Sequence, residues 1–144
     1  MTFAIRTAAL ILMTTLALLP ARAQETLPDA VFRDYDHMRD VLEETVMARR
    51  IADVMRAFGG SDEMTKEELA DLEARVRGIY TSDFERVDLV TRLNMNAGWA
   101  RELYAFSTGI SYFYVMVLFH QRDDALVAVR FKFNTDPLPL LAEF

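Results

Sequence analysis

The chain has 144 residues, and its 22 acidic and 16 basic side chains give a net charge of −6. This acidic balance argues against nucleic acid as a partner, because a protein that binds phosphates needs a basic surface. The absence of cysteine excludes disulfides, thiol catalysis and thiolate metal sites.

The N-terminal residues have the pattern of a secretory signal peptide. Arg6 precedes an uncharged, apolar stretch at residues 7–19, which is too short to span a bilayer. Residues 21–23, Ala-Arg-Ala, supply small side chains at the two positions that a signal peptidase reads. We therefore expect residues 1–23 to be removed before Gln24. The mature protein should then be periplasmic or secreted, with no attachment to the membrane.

Residues 24–144 are predicted to form one α+β domain. These 121 residues are enough to bury a core, and the sequence contains no obvious linker, repeat or low-complexity segment. Arg6 and Arg22 leave with the signal peptide, so the net charge of the mature chain becomes −8. Since disulfides are excluded, the stability of this domain must come from packing.

The first predicted helix starts near residues 26–29, where Thr26 is a candidate N-cap and Pro28 suits the first turn. An apolar stripe then recurs at spacings of three and four, at Val31, Tyr35, Met38, Leu42 and Val46. The next apolar residues, Ile51, Val54, Met55 and Phe58, fall on the opposite side of a straight helix. Either the helix breaks near residues 48–50, or its second half is covered from a different side.

A second helix is predicted from Thr65 to Gly78. Thr65 and Glu68 have the spacing of a capping box, in which two side chains satisfy free backbone N–H groups at the start of a helix. The charged residues of this segment lie three or four apart, which is typical of a solvated face.

From residue 84 onward apolar and polar residues alternate, which predicts half-buried strands. Short turns divide this segment into four strands, near residues 84–95, 99–107, 110–121 and 125–135. Such connections favour an antiparallel meander. The predicted fold therefore has two N-terminal helices packed on a curved four-stranded antiparallel meander. Leu140, Leu141 and Phe144 are expected to pin the C-terminal tail to the body.

Pairing of the two central strands defines the faces of the predicted sheet. If residues 108–109 form a two-residue loop, Ala105 lies opposite Tyr112. One face, called here the tryptophan face, then carries Trp99, Arg101, Leu103, Tyr112, Tyr114, Met116, Leu118 and His120. We expect Val127, Val129, Phe131 and Phe133 to join it from the last strand. This face is predicted to lie under the helices.

The opposite face, called here the phenylalanine face, is too apolar for open solvent. It carries Tyr104, Phe106, Phe113, Val115, Val117 and Phe119. Because both helices are assigned to the tryptophan face, a second copy of the chain is the expected cover. We predict a homodimer with Phe113, Val115 and Val117 near the centre of its interface.

Five residues of the tryptophan face are candidates for a ligand site: Trp99, Arg101, Tyr112, Tyr114 and His120. A guanidinium on an apolar face needs a partner. One interpretation is a pocket in which Arg101 and the phenols hold a small ligand with an acidic or carbonyl group. The other is that Arg101 pairs with a helix carboxylate and the tyrosine hydroxyls bond to the backbone.

Catalytic and metal-binding signatures are weak. The sequence has no phosphate-binding glycine loop, no nucleophile elbow and no His-Glu-x-x-His motif. Asp34, His37 and Asp40 lie three apart on the first helix, away from its apolar stripe, so an exposed histidine is favoured over a metal site. We expect no metal or other cofactor.

A long bent helix, a short helix and a four-strand meander together resemble the nuclear transport factor 2-like, or cystatin-like, cone fold. The resemblance covers most of residues 26–135. It implies either a non-catalytic ligand binder or a cofactor-free isomerase or dehydratase, and dimers formed through the sheet. An isomerase of the ketosteroid isomerase type would need a carboxylate facing Tyr112 or Tyr114.

The predicted helix-covered face has no Asp or Glu, and the nearest helix carboxylates are Asp36, Asp40 and Glu43. The sequence therefore favours an exported, non-catalytic ligand-binding or accessory domain. A small isomerase or dehydratase with a tyrosine-lined cone is the alternative.

Overall fold

The computed structural model describes residues 27–60 and 62–144. The predicted signal peptide, its cleavage before Gln24 and the capping role of Thr26 lie outside the described residues. They stay predictions.

The N-terminal half contains three helices, α1 at Tyr35–Met47, α2 at Ile51–Ala57 and α3 at Lys66–Ile79. The expected helix start at residues 26–29 is wrong, because residues 27–34 are not helical. Ala30 has a left-handed backbone with φ of 64° and turns the chain into a short strand, β1, at Val31–Phe32. Asp34 is the N-cap instead, since its side chain accepts a hydrogen bond of 2.7 Å from the backbone N–H of His37.

The first helix breaks, which was one of the two alternatives that the sequence left open. Arg49 adopts a left-handed conformation with φ of 54°, which ends α1 and reorients α2. Met38 and Leu42 of α1 and Ile51 and Val54 of α2 consequently bury into one core although they lie on opposite sides of a straight helix. The Thr65–Glu68 capping box at the start of α3 is also confirmed.

The C-terminal half is a meander of four strands, β2 at Arg86–Asn94, β3 at Trp99–Thr108, β4 at Ser111–Gln121 and β5 at Leu126–Asn134. β1 adds to β5, so the sheet has five antiparallel strands in the order β1-β5-β4-β3-β2. A last helix, α4, spans Leu138–Leu141. The α+β class and the antiparallel meander are confirmed, whereas the strand and helix counts differ from the expectation.

The helices cover the phenylalanine face of the sheet. Tyr104, Val115 and Val117 have no exposed surface, and Phe113 is 2% exposed. They share one cluster with the buried residues of the three helices. The assignment of Phe113, Val115 and Val117 to an open dimer face is therefore wrong. Alternation along β3 and β4 sorted their residues into faces correctly, although Ala105 pairs with Tyr114 and not with Tyr112. The more apolar face takes the helices.

A bulge in β5 corrects a second expectation. Phe131 and Phe133 pair with Val117 and Val115, but the register shifts at Leu118/Phe119, so that Val127 pairs with His120. Val129 is the extra residue of the bulge and has no pairing partner in β4. Phe131 and Phe133 therefore join the phenylalanine face, while Val127 alone keeps its expected place beside His120.

The C-terminal tail covers the centre of the tryptophan face. Leu140 is buried against Leu103 and Met116, and Lys132 forms an ion pair with Glu143. The Arg101 guanidinium lies 5.5 Å from the ring centre of Phe144. Packing of the tail through Leu140 and Phe144 is thus confirmed, on the face that the helices leave open, whereas Leu141 is exposed. In the described part of the chain, no helix combines the length and apolar character that a membrane crossing requires.

Candidate functional site

The five predicted site residues lie on the tryptophan face, away from the helices, and form separate groups. The Trp99 and His120 rings stack 4.7 Å apart at one end of β4, and the Tyr112 and Tyr114 rings lie 6.1 Å apart at the other. Tyr112 and His120 are separated by about 26 Å at the usual strand rise of about 3.3 Å per residue. The structure does not bring these residues into one pocket, and their expected position under the helices is wrong.

Arg101 lies between these groups, beside the tail. Its Nε atom is buried and has no hydrogen-bond partner among the described residues. The expected ion pair with a helix carboxylate is therefore absent from the described structure, and the aromatic ring of Phe144 is the neighbour of the guanidinium.

A buried carboxylate that the sequence interpretation missed lies on the phenylalanine face. Glu102, in β3, has no exposed surface. Its Oε1 atom accepts hydrogen bonds of 2.9 Å from the Tyr35 hydroxyl and 2.8 Å from Arg92 Nη1. Its Oε2 atom accepts a hydrogen bond from the Tyr104 hydroxyl. Three donors from α1, β2 and β3 thus satisfy one buried charge.

Glu102 was missed because the helices were assigned to the wrong face of the sheet. With the helices assigned to the tryptophan face, Glu102 was placed at the border of the expected dimer interface. A charged residue directly before the apolar run at residues 103–106 and opposite Arg92 in the next strand was the available signal. Of the helix carboxylates, Glu43 lies near this cluster through its ion pair with Arg39, whereas Asp36 and Asp40 are exposed.

Two arginines pack on the aromatic rings around Glu102. The Arg92 guanidinium lies 5.2 Å from the ring centre of Tyr35, and that of Arg39 lies 4.7 Å from the ring centre of Tyr104. Burial lowers the pKa of Arg39, but hydrogen bonds to Glu43 and Tyr35 outweigh this effect and raise it above its ordinary value. Burial, followed by the adjacent Glu102 carboxylate, raises the pKa of Tyr104. Tyr104 therefore stays a neutral donor.

A cleft of about 260 Å³ opens beside this cluster, at the end of the sheet where the β2–β3 turn meets the end of β4. Its lining consists of Tyr35, Arg92, Asn94, Met95, Gly98, Trp99, Ala100, Phe119 and Gln121. Trp99 is the one predicted site residue among them. Polar and apolar groups contribute about equally to this lining.

Gly98 shapes this end of the cleft. Its φ is 81°, and a Cβ atom there would lie 2.3 Å from the carbonyl oxygen of Gln121. The backbone of the β2–β3 turn therefore approaches β4 more closely than another residue allows.

Asp34, His37 and Asp40 lie along the start of α1, and His37 is half-buried, so the expected exposed histidine is not observed. Asp34 caps α1, and His37 Nδ1 accepts a hydrogen bond of 3.2 Å from the backbone N–H of Arg33. Across residues 27–60 and 62–144, no group of three or more potential ligands is placed to hold a metal ion.

The chain matches no protein-family model, no curated protein and no solved structure. The comparisons therefore neither support nor oppose the resemblance to the nuclear transport factor 2-like fold.

Proposed function

We propose that the protein is an exported, non-catalytic domain that binds a small ligand in the cleft beside Arg92 and Trp99. The observation that carries this proposal is the fixed position of Arg92 in the cleft wall. Its Nη1 atom bonds to Glu102, and its Nε atom bonds to Asn94 Oδ1 at 2.7 Å. A guanidinium held by two bonds loses little freedom when a ligand binds, which favours affinity.

The burial and the hydrogen bonds of Glu102 indicate that its carboxylate has a structural role. A general base must reach the proton that it removes. Glu102 has no exposed surface, and both of its oxygens accept hydrogen bonds from the protein. The carboxylate therefore positions Arg92 and the tyrosines.

The alternative, a cofactor-free isomerase or dehydratase, has one observation in its favour. Glu102 and Tyr104 form a carboxylate–phenol pair on the helix-covered face, although the resemblance to ketosteroid isomerases named Tyr112 or Tyr114 as the phenol. Catalysed deuterium exchange beside the carbonyl of a small aromatic ketone such as acetophenone tests this alternative. Exchange that disappears in Glu102→Gln would establish it, and no exchange above background would favour a binding domain.

We also propose that the protein is exported and that it forms a homodimer. Export depends on the signal peptide at residues 1–23. A homodimer remains a prediction, but its centre is not at Phe113, Val115 and Val117, because the helices cover these residues. Helices packed on an antiparallel meander are consistent with the proposed cone fold.

The cleft is tested by the fluorescence of Trp99, the only tryptophan of the chain. Benzamide, benzoate and benzyl alcohol are titrated into the purified protein with excitation at the red edge of tryptophan absorption. We expect at least one probe to change the emission in a saturable way. Arg92→Lys should weaken this binding about tenfold, because lysine lacks the planar fork of donors.

Arg86→Lys is the matched control, since it alters an exposed arginine of the same strand. It should bind the probes like the original protein. If none of the three probes binds, or if both lysine variants behave alike, the cleft is not the binding site.

A further inference from the structure

The edge of β5 is open along its second half. β1 pairs with β5 only at residues 126–127, so residues 129–134 have no strand beside their outer edge in the described part of the chain. Val129 is 51% exposed. An open edge presents backbone N–H and C=O groups that can pair with another chain. The stretch is about 17 Å long at the usual rise of about 3.3 Å per residue, which suits one added strand.

Two neighbouring clefts follow this edge. One, of about 340 Å³, is lined by residues 129–132 and by the end of α2. The other, of about 280 Å³, is lined by residues 131–134, by Met55 of α2 and by the tail. Successive side chains of a strand point to opposite faces, so a cleft that touches several in a row lies beside the edge. The clefts share Met55, Phe131 and Lys132, and together they are called here the β5 groove.

We propose that the β5 groove binds an extended segment of another protein as an added strand, with acidic side chains toward the tail and apolar side chains toward the helices. In this mode of recognition, main-chain hydrogen bonds supply affinity and alternate side chains supply specificity. The groove is separate from the cleft beside Arg92, so this inference goes beyond the proposed function.

The tail side of the groove is basic. Arg130 and Lys132 point to this side, because both lie on the tryptophan face of the sheet. Glu143 of the tail forms an ion pair with Lys132. The hydrogen bond from Lys132 lowers the pKa of Glu143, and the charges of Arg130 and Arg101 lower it further. Three cations thus lie around one carboxylate, and opposite charges on neighbouring strands stabilise their pairing. Acidic side chains of an added strand therefore fit this side.

The helix side of the groove is apolar. Phe131 packs on Phe58 with 5.0 Å between the ring centres, and Phe133 lies 6.2 Å from Phe131. Met55 lines both clefts from α2. Glu63 follows α2 and lines the larger cleft, which adds a negative charge on this side. Apolar side chains of an added strand would find partners here, whereas acidic ones would be repelled.

The same charges disfavour a second copy of the chain as the occupant. If two β5 edges paired antiparallel about Phe131, Arg130 of one chain would lie opposite Lys132 of the other. If they paired about Lys132, the two lysines would face each other. Like charges directly opposite destabilise a strand pair, and basic residues protect edge strands from self-pairing. The occupant is therefore a different chain.

Two short peptides test the inference. A fluorescein-labelled peptide of three Glu-Val repeats is titrated with the purified protein, and fluorescence anisotropy measures binding. We expect saturable binding, at least about tenfold tighter than that of the matching Lys-Val peptide. Equal or tighter binding of the Lys-Val peptide, or no binding of either, would overturn the inference. Neither result bears on the cleft beside Arg92, which is tested separately by Trp99 fluorescence.

Backbone pairing is tested by N-methylation of the Glu-Val peptide. One peptide carries methyl groups on the backbone nitrogens of its glutamates, and the other on those of its valines. Only alternate N–H groups of a strand face a given neighbour, so one methylated peptide should lose about tenfold or more in affinity. Equal affinities of the two would show that the peptide does not add as a strand.

The charge of the groove is tested at Arg130, which is exposed. Arg130→Glu should weaken binding of the Glu-Val peptide about tenfold and strengthen that of the Lys-Val peptide. Arg86→Glu makes the same change on β2, at the other edge of the sheet, and should alter neither. Arg130→Ala is a second variant with a smaller expected loss, and thermal melts check that each variant folds. Identical peptide binding by Arg130→Glu and Arg86→Glu would overturn the inference.

Discussion

The two faces of the sheet are carried by the same strands but are closed in different ways. On the phenylalanine face, Tyr104, Val115 and Val117 have no exposed surface, because three helices cover them. On the tryptophan face, the seven-residue tail at 138–144 buries Leu103 and Met116, while Tyr112 stays 47% exposed. The difference teaches that a strand with two apolar faces does not by itself require a second subunit.

The two faces of the sheet also differ in how their charged residues are bound. Glu102 and Arg101 are neighbours in β3 and point to opposite faces. Glu102 is buried with three hydrogen-bond donors, whereas Arg101 is partly exposed beside Phe144. The charge under the helices is therefore tightly held, and the charge under the tail is not.

The largest expected effect comes from placing a charge on the phenylalanine face. Val115→Asp should lower the free energy of unfolding by more than about 4 kcal/mol, because an unpaired carboxylate would be buried under the helices. Tyr112→Asp, on the same strand but the other face, should lower it by less than about 1 kcal/mol. Urea denaturation followed by circular dichroism measures both. Similar losses in the two variants would break the contrast between the faces.

Removal of the buried carboxylate should have the next largest effect. Glu102→Ala leaves Arg92 and the two tyrosine hydroxyls without their acceptor, and should cost about 3–5 kcal/mol. Arg101→Ala removes a contact with Phe144 and should cost about 1 kcal/mol or less. The same denaturation experiment compares them. If Arg101→Ala loses as much stability as Glu102→Ala, Arg101 contributes as much to folding as the buried carboxylate does.

The tail itself is tested at Leu140. Leu140→Ala should cost about 2 kcal/mol, near the lower end for buried leucines, because it packs in a small cluster with Leu103 and Met116. Leu138 is 68% exposed, and Leu138→Ala should change stability by no more than about 0.5 kcal/mol. Equal stability of these two variants would show that the tail does not close the tryptophan face.

The smallest effect is a pH dependence from Tyr104. Its pKa is raised above its ordinary value of 10.0 by burial and by Glu102. Above pH 10 the unfolded chain loses this proton while the folded chain keeps it, so the contribution to stability falls as pH rises, by at most about 1.4 kcal/mol per pH unit.

Tyr104→Phe has no proton to lose and should show a shallower decline between about pH 9 and about pH 11 than the original protein. Tyr112→Phe, at an exposed tyrosine, should keep the original slope. Denaturation curves across this range give both slopes. Identical slopes in all three proteins would mean that Tyr104 ionises normally.

Local signals in the sequence predicted much of the fold. The capping box at Thr65 and the turn at residues 96–98 depend on neighbouring residues, and both are present in the structure. The break near Arg49 was one of two alternatives that the sequence left open. The start of α1 was predicted wrongly because two capping residues were available. Asp34 caps the helix, and Ala30 turns the preceding segment into β1.

The choice of the face under the helices and the candidate site depended on tertiary structure. Period-two alternation sorts side chains into two sets, but it does not say which set the helices cover. The bulge at Val129 moved Phe131 and Phe133, and no residue type marks it in advance. With the faces exchanged, Glu102 was overlooked, and of the predicted site residues Trp99 alone lines the cleft.

The central claim, that the helices cover the face of Phe113, Val115 and Val117, is tested most directly by cysteine labelling. The chain has no cysteine, so a single introduced thiol is the only one present. Under native conditions, a maleimide reagent should modify Tyr112→Cys rapidly and Val115→Cys only after denaturation. Rapid labelling of Val115→Cys in the folded protein, together with protection of Tyr112→Cys, would contradict the account.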